Sequence, residues 1–236
     1  MEFRTQLPSP LAALRGFLCE RMFHPLLLCT GISLLLMVGR HHLRRSDYYD
    51  FLAWNLFLAW VPYLCALALD AAAARRWGAG WTVALGATWL VFFPNALYIM
   101  TDFVHLDGDS HWYDLGLIAA FAWTGWFLGL ASMLILQRAV RRAAGNVAGW
   151  AFVLATGGLG AFGVYVGRML RWNSWHVLTR PDHIVGSLLA GLSNPLAHRR
   201  AIGFTLVFAA LFLVCYLTIT AAGRWAAAER DEAKGS

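Results

Sequence analysis

A chain of 236 residues that is 59% hydrophobic and only 14% charged is not a soluble globular domain, because soluble domains carry roughly 25% charged residues. A mean hydropathy of +0.56, with twelve tryptophans and fifteen phenylalanines, points to a membrane, whose interfaces are enriched in aromatic side chains. The net charge of +6 comes without a basic cluster or a base-reading motif, so nucleic acid is set aside as a partner and the arginines are read as setting topology and touching membrane lipid.

The N-terminal MEFRTQLPSPLAALRGFLCER lacks a signal peptide's order of charge, long apolar core and cleavage site, so the first apolar stretch is expected to remain as an anchor. Six stretches are long enough to cross about 30 Å of hydrocarbon, which takes about 20 apolar residues. They are Met22–Gly39, Phe51–Leu69, Trp81–Met100, Leu115–Leu136, Val147–Gly167 and Ala201–Ala222. His24 and Pro25 shorten the first, but proline is tolerated in an opening helical turn. Gly125 and Gly129 in the fourth stretch, and Gly163 and Gly167 in the fifth, have the G-x-x-x-G spacing that lets helix backbones approach closely. Packing within the chain is the expected use of both pairs. Ile184 to Leu192 is apolar but too short to span, and reads as a short interfacial helix in the last outer loop. Residues 223–236 form a charged tail, expected to be a short frayed helix. No internal repeat suggests a transporter made of two related halves. Cys19, Cys29, Cys65 and Cys215 have no C-x-x-C partner and read as small buried hydrophobes. The expected fold is a single all-α domain, an integral membrane bundle of six transmembrane helices.

Arginine and lysine placement sets the expected orientation. With the N-terminus inside, the inner segments hold eleven basic residues and the outer ones eight. The Thr101–Tyr113 loop has none. Both termini are therefore expected in the cytoplasm, with Arg40–Asp50, Thr101–Asp114 and Arg171–Arg200 sharing the outer face. Those three loops hold seven of the eight histidines, whereas the inner loops are short and rich in arginine, alanine and glycine.

The stretch FFPNALYIMTDFVHLDGDSHWYD, Phe92 to Asp114, is the one the chain is organised around: it starts in the last third of one apolar run and ends at the head of the next. Continued as a helix, it sets Asn95, Tyr98, Asp102 and His105 along one stripe. A polar stripe is costly in lipid unless it faces protein or water. Asn55, near the start of the second span, and Asn95, after Pro94, either satisfy kinked backbone or one another, or line a cavity opening outward. Asp102 with His105, and His111 with Asp114, are each three apart, which puts two ligating groups on one helical face. Imidazole beside carboxylate suits a divalent metal, or a base with its orienting partner. The plain alternative is an acidic, water-facing loop whose DGDS is an ordinary turn.

Asp102 near a helix end calls for a partner, and Arg168 or Arg171 lies on the same side of the membrane. Arg168, Arg171, Trp172 and Trp175 recur at helical spacing, giving guanidinium and indole on one face, with Asn173 and Ser174 as extra polar groups. Such a face can clamp a phosphate or carboxylate, or be only an interfacial belt with snorkelling arginines. His41 and His42 beside Arg40 read as a cationic loop. No G-x-S-x-G, H-E-x-x-H, phosphate loop or dinucleotide fingerprint occurs.

With its F-P-N-x-x-Y-x-x-T-D-x-x-H-L stretch from Phe93 and G-R-x-x-R-W-N-S-W from Gly167, the chain resembles a family of bacterial integral membrane proteins classed as a domain of unknown function. The resemblance covers nearly the whole chain and implies a polytopic membrane protein with no assigned activity; the expected location is a bacterial cytoplasmic membrane. The matched motif residues are Asn95, Tyr98, Asp102, His105, Asp114, Arg168, Arg171, Asn173 and Ser174. The chain departs from the family pattern at His176, where the family tends to carry aspartate, and at Leu97, where it tends to carry proline. The expected function is an outward-facing polar pocket that binds a polar or anionic envelope molecule such as a lipid head group. In it Arg168 and Arg171 hold the anion, Trp172 and Trp175 pack its apolar part, and Asp102 with His105 act on or orient it. The rivals are a membrane hydrolase or transferase using Asp102 and His105 with or without metal, a small transporter, and an assembly factor.

Overall fold

Apolar runs bounded by glycine, proline and arginine become helices along nearly all of the chain whose structure is described. The computed structural model describes residues 16, 21–45, 47–75, 78–106, 112–169 and 199–235. The elements are α1 (Phe23–Arg44), α2 (Phe51–Arg75), α3 (Ala79–Tyr98), a 3₁₀ helix (Ile99–His105), α4 (Trp112–Met169) and α5 (Arg199–Gly235). No strand occurs among the described residues. Among the described residues, five helices are long and apolar enough to cross a membrane: Phe23–Leu43, Phe51–Ala73, Ala79–His105, Trp112–Met169 and Arg199–Ala233. The expected interfacial helix at Ile184–Leu192 lies outside the described residues.

α1 begins after Met22, which adopts a left-handed φ of 64°, and carries Pro25 in its first turn, where no intrahelical N–H is lost. It continues past Gly39 to Arg44, so Arg40, His41 and His42 are helical where a loop was expected. Arg40 turns inward: its Nε donates to Asp114 Oδ1 at 2.6 Å, and both residues are buried. A charge with a buried partner need not leave the helix for water. α5 likewise runs unbroken through the charged tail to Gly235.

α4 is not one rod. As a straight helix its 58 residues would reach about 87 Å, with Met133 and Thr156 about 35 Å apart. Thr156 Oγ1 instead lies 3.4 Å from Met133 Sδ. The chain doubles back at Gly145, whose φ of 86° and ψ of 176° are non-helical. The result is an antiparallel hairpin with arms 112–144 and 146–169. That backbone region belongs almost solely to glycine. A Cβ at Gly145 would meet no atom within 4 Å, so only conformation opposes a side chain there. Gly145→Ala is expected to destabilise the fold by about 1–3 kcal/mol, read as a lower midpoint in thermal unfolding of the detergent-solubilised chain. Gly158→Ala is the control. It sits mid-helix with open space around its Cβ and should be neutral or slightly stabilising.

The first arm of α4 is the hub of the bundle. Polar contacts mark three of the interfaces it makes. Ser33 Oγ on α1 meets Thr124 Oγ1 at 3.1 Å, Trp89 Nε1 on α3 donates to Ser132 Oγ at 3.3 Å, and Tyr216 OH on α5 donates to Gln137 Oε1 at 2.6 Å. Interhelical bonds of this kind contribute on the order of 0.6 kcal/mol each. Close backbone approach supplies the rest of the fit. A Cβ on Gly160 would stand 2.6 Å from the Phe93 ring, and one on Gly163 would overlap the Pro94 ring. A Cβ on Gly125 would stand 2.7 Å from the Ile99 side chain. Small residues of both arms thus let α3 lie against the hairpin despite its internal proline. Around this core, Leu28, Leu35, Leu206 and Val214 leave apolar side chains on the outside, which suits contact with lipid.

Successive helices alternate in direction, which sorts the charged side chains to two ends. Arg40, Asp102, Asp114 and Arg168 gather at one end; Arg21, Asp70 and Arg142 gather at the other.

Candidate functional site

At Tyr98 the chain tightens from α3 into the 3₁₀ helix, with three residues per turn. Asp102 and His105 therefore fall on one face, and that face meets α2, where Phe51 and Asn55 are one turn apart. Asn55 Nδ2 donates to Asp102 Oδ2 at 3.0 Å, and the His105 ring packs on Phe51 with centroids 4.9 Å apart. Asp102 is 0% exposed.

Its charged partner comes from the last turn of α4. Arg168 Nη1 donates to Asp102 Oδ1 at 3.3 Å and to Tyr98 OH at 3.0 Å, while Nη2 donates to the Thr101 carbonyl at 3.0 Å. The guanidinium carbon lies 5.5 Å from the centroid of the Tyr98 ring. The Thr101 hydroxyl donates to the Tyr98 carbonyl at 2.7 Å, fixing the turn that presents both oxygens. One buried carboxylate thus ties together α2, the 3₁₀ helix and the second arm of α4. Asn55, Tyr98, Asp102 and Arg168 form a single bonded group.

The other predicted residues lie elsewhere. The His105 imidazole is on Phe51 rather than on Asp102, and its carbonyl accepts from Tyr49 OH at 3.3 Å. Asn95 Nδ2 donates to the Phe92 carbonyl of its own helix at 3.0 Å. Asp114 belongs to a second buried pair with Arg40, whose guanidinium sits 4.3 Å over the Tyr49 ring. His111, Arg171, Trp172, Asn173, Ser174 and Trp175 lie outside the described residues. As metal ligands, Asp102, His105 and Asp114 do not converge: two are bonded to arginine and the third is stacked.

Three features were not singled out from sequence. Arg40 read as part of a cationic loop, although an arginine one turn before the end of an apolar helix can reach inward as easily as out. His41 lies 3.2 Å from Asp47 and 3.5 Å from Asp50, a contact foreshadowed only by the spacing H-x5-D-x2-D. At the opposite end, Asp70 is buried between two arginines. Arg21 Nε and Nη2 donate to Asp70 Oδ2 at 2.8 and 2.5 Å, and Arg142 Nη2 donates to Oδ1 at 2.5 Å. Its signal was a lone acid closing an apolar run, ALALDAAAARR.

Chemically, a carboxylate with no exposed surface, held by an amide and a guanidinium, is placed to position Arg168 and not to meet water. No curated protein and no solved structure gives a significant match to the chain. The model of a family described as protein of unknown function, DUF1361, matches residues 54–215, and the chain belongs to that family.

Proposed function

We propose that the chain crosses a bacterial cytoplasmic membrane six times, with the two arms of α4 as separate crossings and both termini in the cytoplasm. On this reading the Asp102 end faces outward and binds an anionic or polar envelope molecule, such as a lipid head group, through Arg168. The observation that carries the reading is the state of that guanidinium. Three of its five N–H donors hold Tyr98, Thr101 and Asp102, and the other two have no partner among the described residues. A bidentate donor pair of this kind suits a phosphate or carboxylate oxygen pair. Arg171, Trp172, Asn173, Ser174 and Trp175 follow directly in the sequence and would complete the binding face. A hydrolase or transferase working through Asp102 would need substrate or water at a carboxylate that is 0% exposed, so binding is the better-supported reading.

The test is the thermal midpoint of the purified chain in neutral detergent, with phosphatidylglycerol, phosphatidylcholine or inorganic phosphate added in turn. The reading expects a rise with phosphatidylglycerol over phosphatidylcholine in the wild type, and its loss in Arg168→Gln measured against that variant's own baseline. A phosphate-only response would name a free anion as the ligand. Equal responses of the wild type and Arg168→Gln to every addition would sink the reading.

A further inference from the structure

The turn between α1 and α2 brings three metal-ligating groups together at the same end of the bundle. His41 Nε2 lies 3.2 Å from Asp47 Oδ1 and 3.5 Å from Asp50 Oδ1, and the three ligand atoms all fall within 4.8 Å of one another. Metal–nitrogen and metal–oxygen bonds of about 2.0–2.2 Å place tetrahedral ligand atoms about 3.3–3.6 Å apart. Both distances from His41 lie close to that range, and the two carboxylate oxygens, within 4.8 Å of each other on exposed side chains, need only small rotations to close on one ion. A proton explains the spacing less well. One N–H can point at only one carboxylate, so the second, exposed and at 3.5 Å, gains little from the imidazole, and two negative charges stand side by side. A divalent cation neutralises both at once.

The backbone that presents these groups is held from several sides. Arg45 closes α1 in a left-handed conformation with φ 49°, and its N–H donates to the His41 carbonyl at 2.9 Å, fixing the helical turn that carries the imidazole. Asp50 N–H donates to the Asp47 carbonyl at 3.0 Å, so the two aspartates share one turn. Between them Tyr49 is buried, beneath the Arg40 guanidinium and bonded to the His105 carbonyl. Just before His41 on the helix, the Arg40 Nε donates to Asp114 at 2.6 Å.

We propose that His41, Asp47 and Asp50 form a divalent transition-metal site, with zinc or manganese as the fitting ions and the remaining coordination positions open to water. One imidazole with two carboxylates is a borderline donor set that suits these ions and offers calcium too few oxygens. The site does not depend on the anion-binding reading of Arg168.

The test uses the full chain, purified without a polyhistidine tag, stripped with chelator and titrated with zinc and separately with manganese against a chromophoric competitor. About one equivalent should bind. Asp47→Asn and Asp50→Asn keep the side-chain shape at exposed positions, so folding is preserved, and each should weaken binding at least about tenfold. His41→Ala should abolish it, and His42→Ala should leave it unchanged. Cobalt substituted at the site should show the visible absorption of a tetrahedral centre in the wild type and lose it in His41→Ala. No stoichiometric metal in the wild type, or wild-type affinity in both asparagine variants, would overturn the site.

Discussion

Asp102→Ala is expected to lower the stability of the bundle by about 3–5 kcal/mol, the usual result of leaving one member of a buried ion pair without its counter-charge. Three elements lose their shared tie at once, because Asn55 and Arg168 both end on this carboxylate. The Arg168 guanidinium keeps Tyr98 and Thr101, but neither carries charge. Asp102→Asn should cost less, since the amide still offers an oxygen to one donor. Asp102→Leu combined with Arg168→Met should recover most of the loss, because replacing a whole buried pair by apolar groups is often close to neutral. Thermal unfolding of the wild type, Asp102→Leu, Arg168→Met and their combination in one detergent, arranged as a double-mutant cycle, measures the coupling, with Asp102→Ala and Asp102→Asn run beside them. Strictly additive losses, or an Asp102→Ala protein as stable as wild type, would mean that Arg168 is not held by Asp102. A neutral interhelical bond such as Ser33–Thr124, worth on the order of 0.6 kcal/mol, sets the scale below which the pair is unremarkable.

How far this was legible follows the physics of each feature. Apolar runs of about 20 residues announce helices because backbone groups in hydrocarbon have no other way to be satisfied. Helix positions were accordingly readable from α1 to α5, and so was the pairing of Asp102 with an arginine on the same side of the membrane, Arg168 or Arg171. Ends were harder. α1 continues to Arg44 because Arg40 finds Asp114, a contact between residues far apart in sequence that no local pattern reveals. The stretch after Tyr98 winds as 3₁₀, not α, so Asp102 and His105 stack toward α2 instead of continuing the stripe begun by Asn95. The arms of α4 meet without an intervening loop, since the arginine-rich segment stays helical and one glycine makes the turn. His105 next to Asp102 in sequence suggested shared chemistry, yet spacing of three says only that two groups share a face. What each then meets depends on the opposing helix, here Asn55 for one and Phe51 for the other.

Asp70 carries the second large effect, and its variants should rank in an order that exposure dictates. Arg21 and Asp70 side chains are 17% and 7% exposed, whereas Arg142 is 66% exposed. Water can replace Asp70 around Arg142, so Arg142→Ala should cost no more than about 1 kcal/mol, as for a surface bridge. Arg21→Ala should cost more, because it removes two of the three bonds to a carboxylate that stays buried. Asp70→Ala should cost most, about 3 kcal/mol or above, because it removes the counter-charge of the less exposed arginine and all three carboxylate bonds at once. Those ties join the residue ahead of α1, the end of α2 and the first arm of α4 just before its turn. Tyr63 reinforces the first of them by donating to the Arg21 carbonyl at 2.9 Å. Loss of the clamp should also free the N-terminal end of α1, so limited proteolysis near Arg21 should quicken in Asp70→Ala and not in Arg142→Ala. Equal midpoints for the three variants, or Arg142→Ala as the most damaging, would show that burial does not govern this cluster.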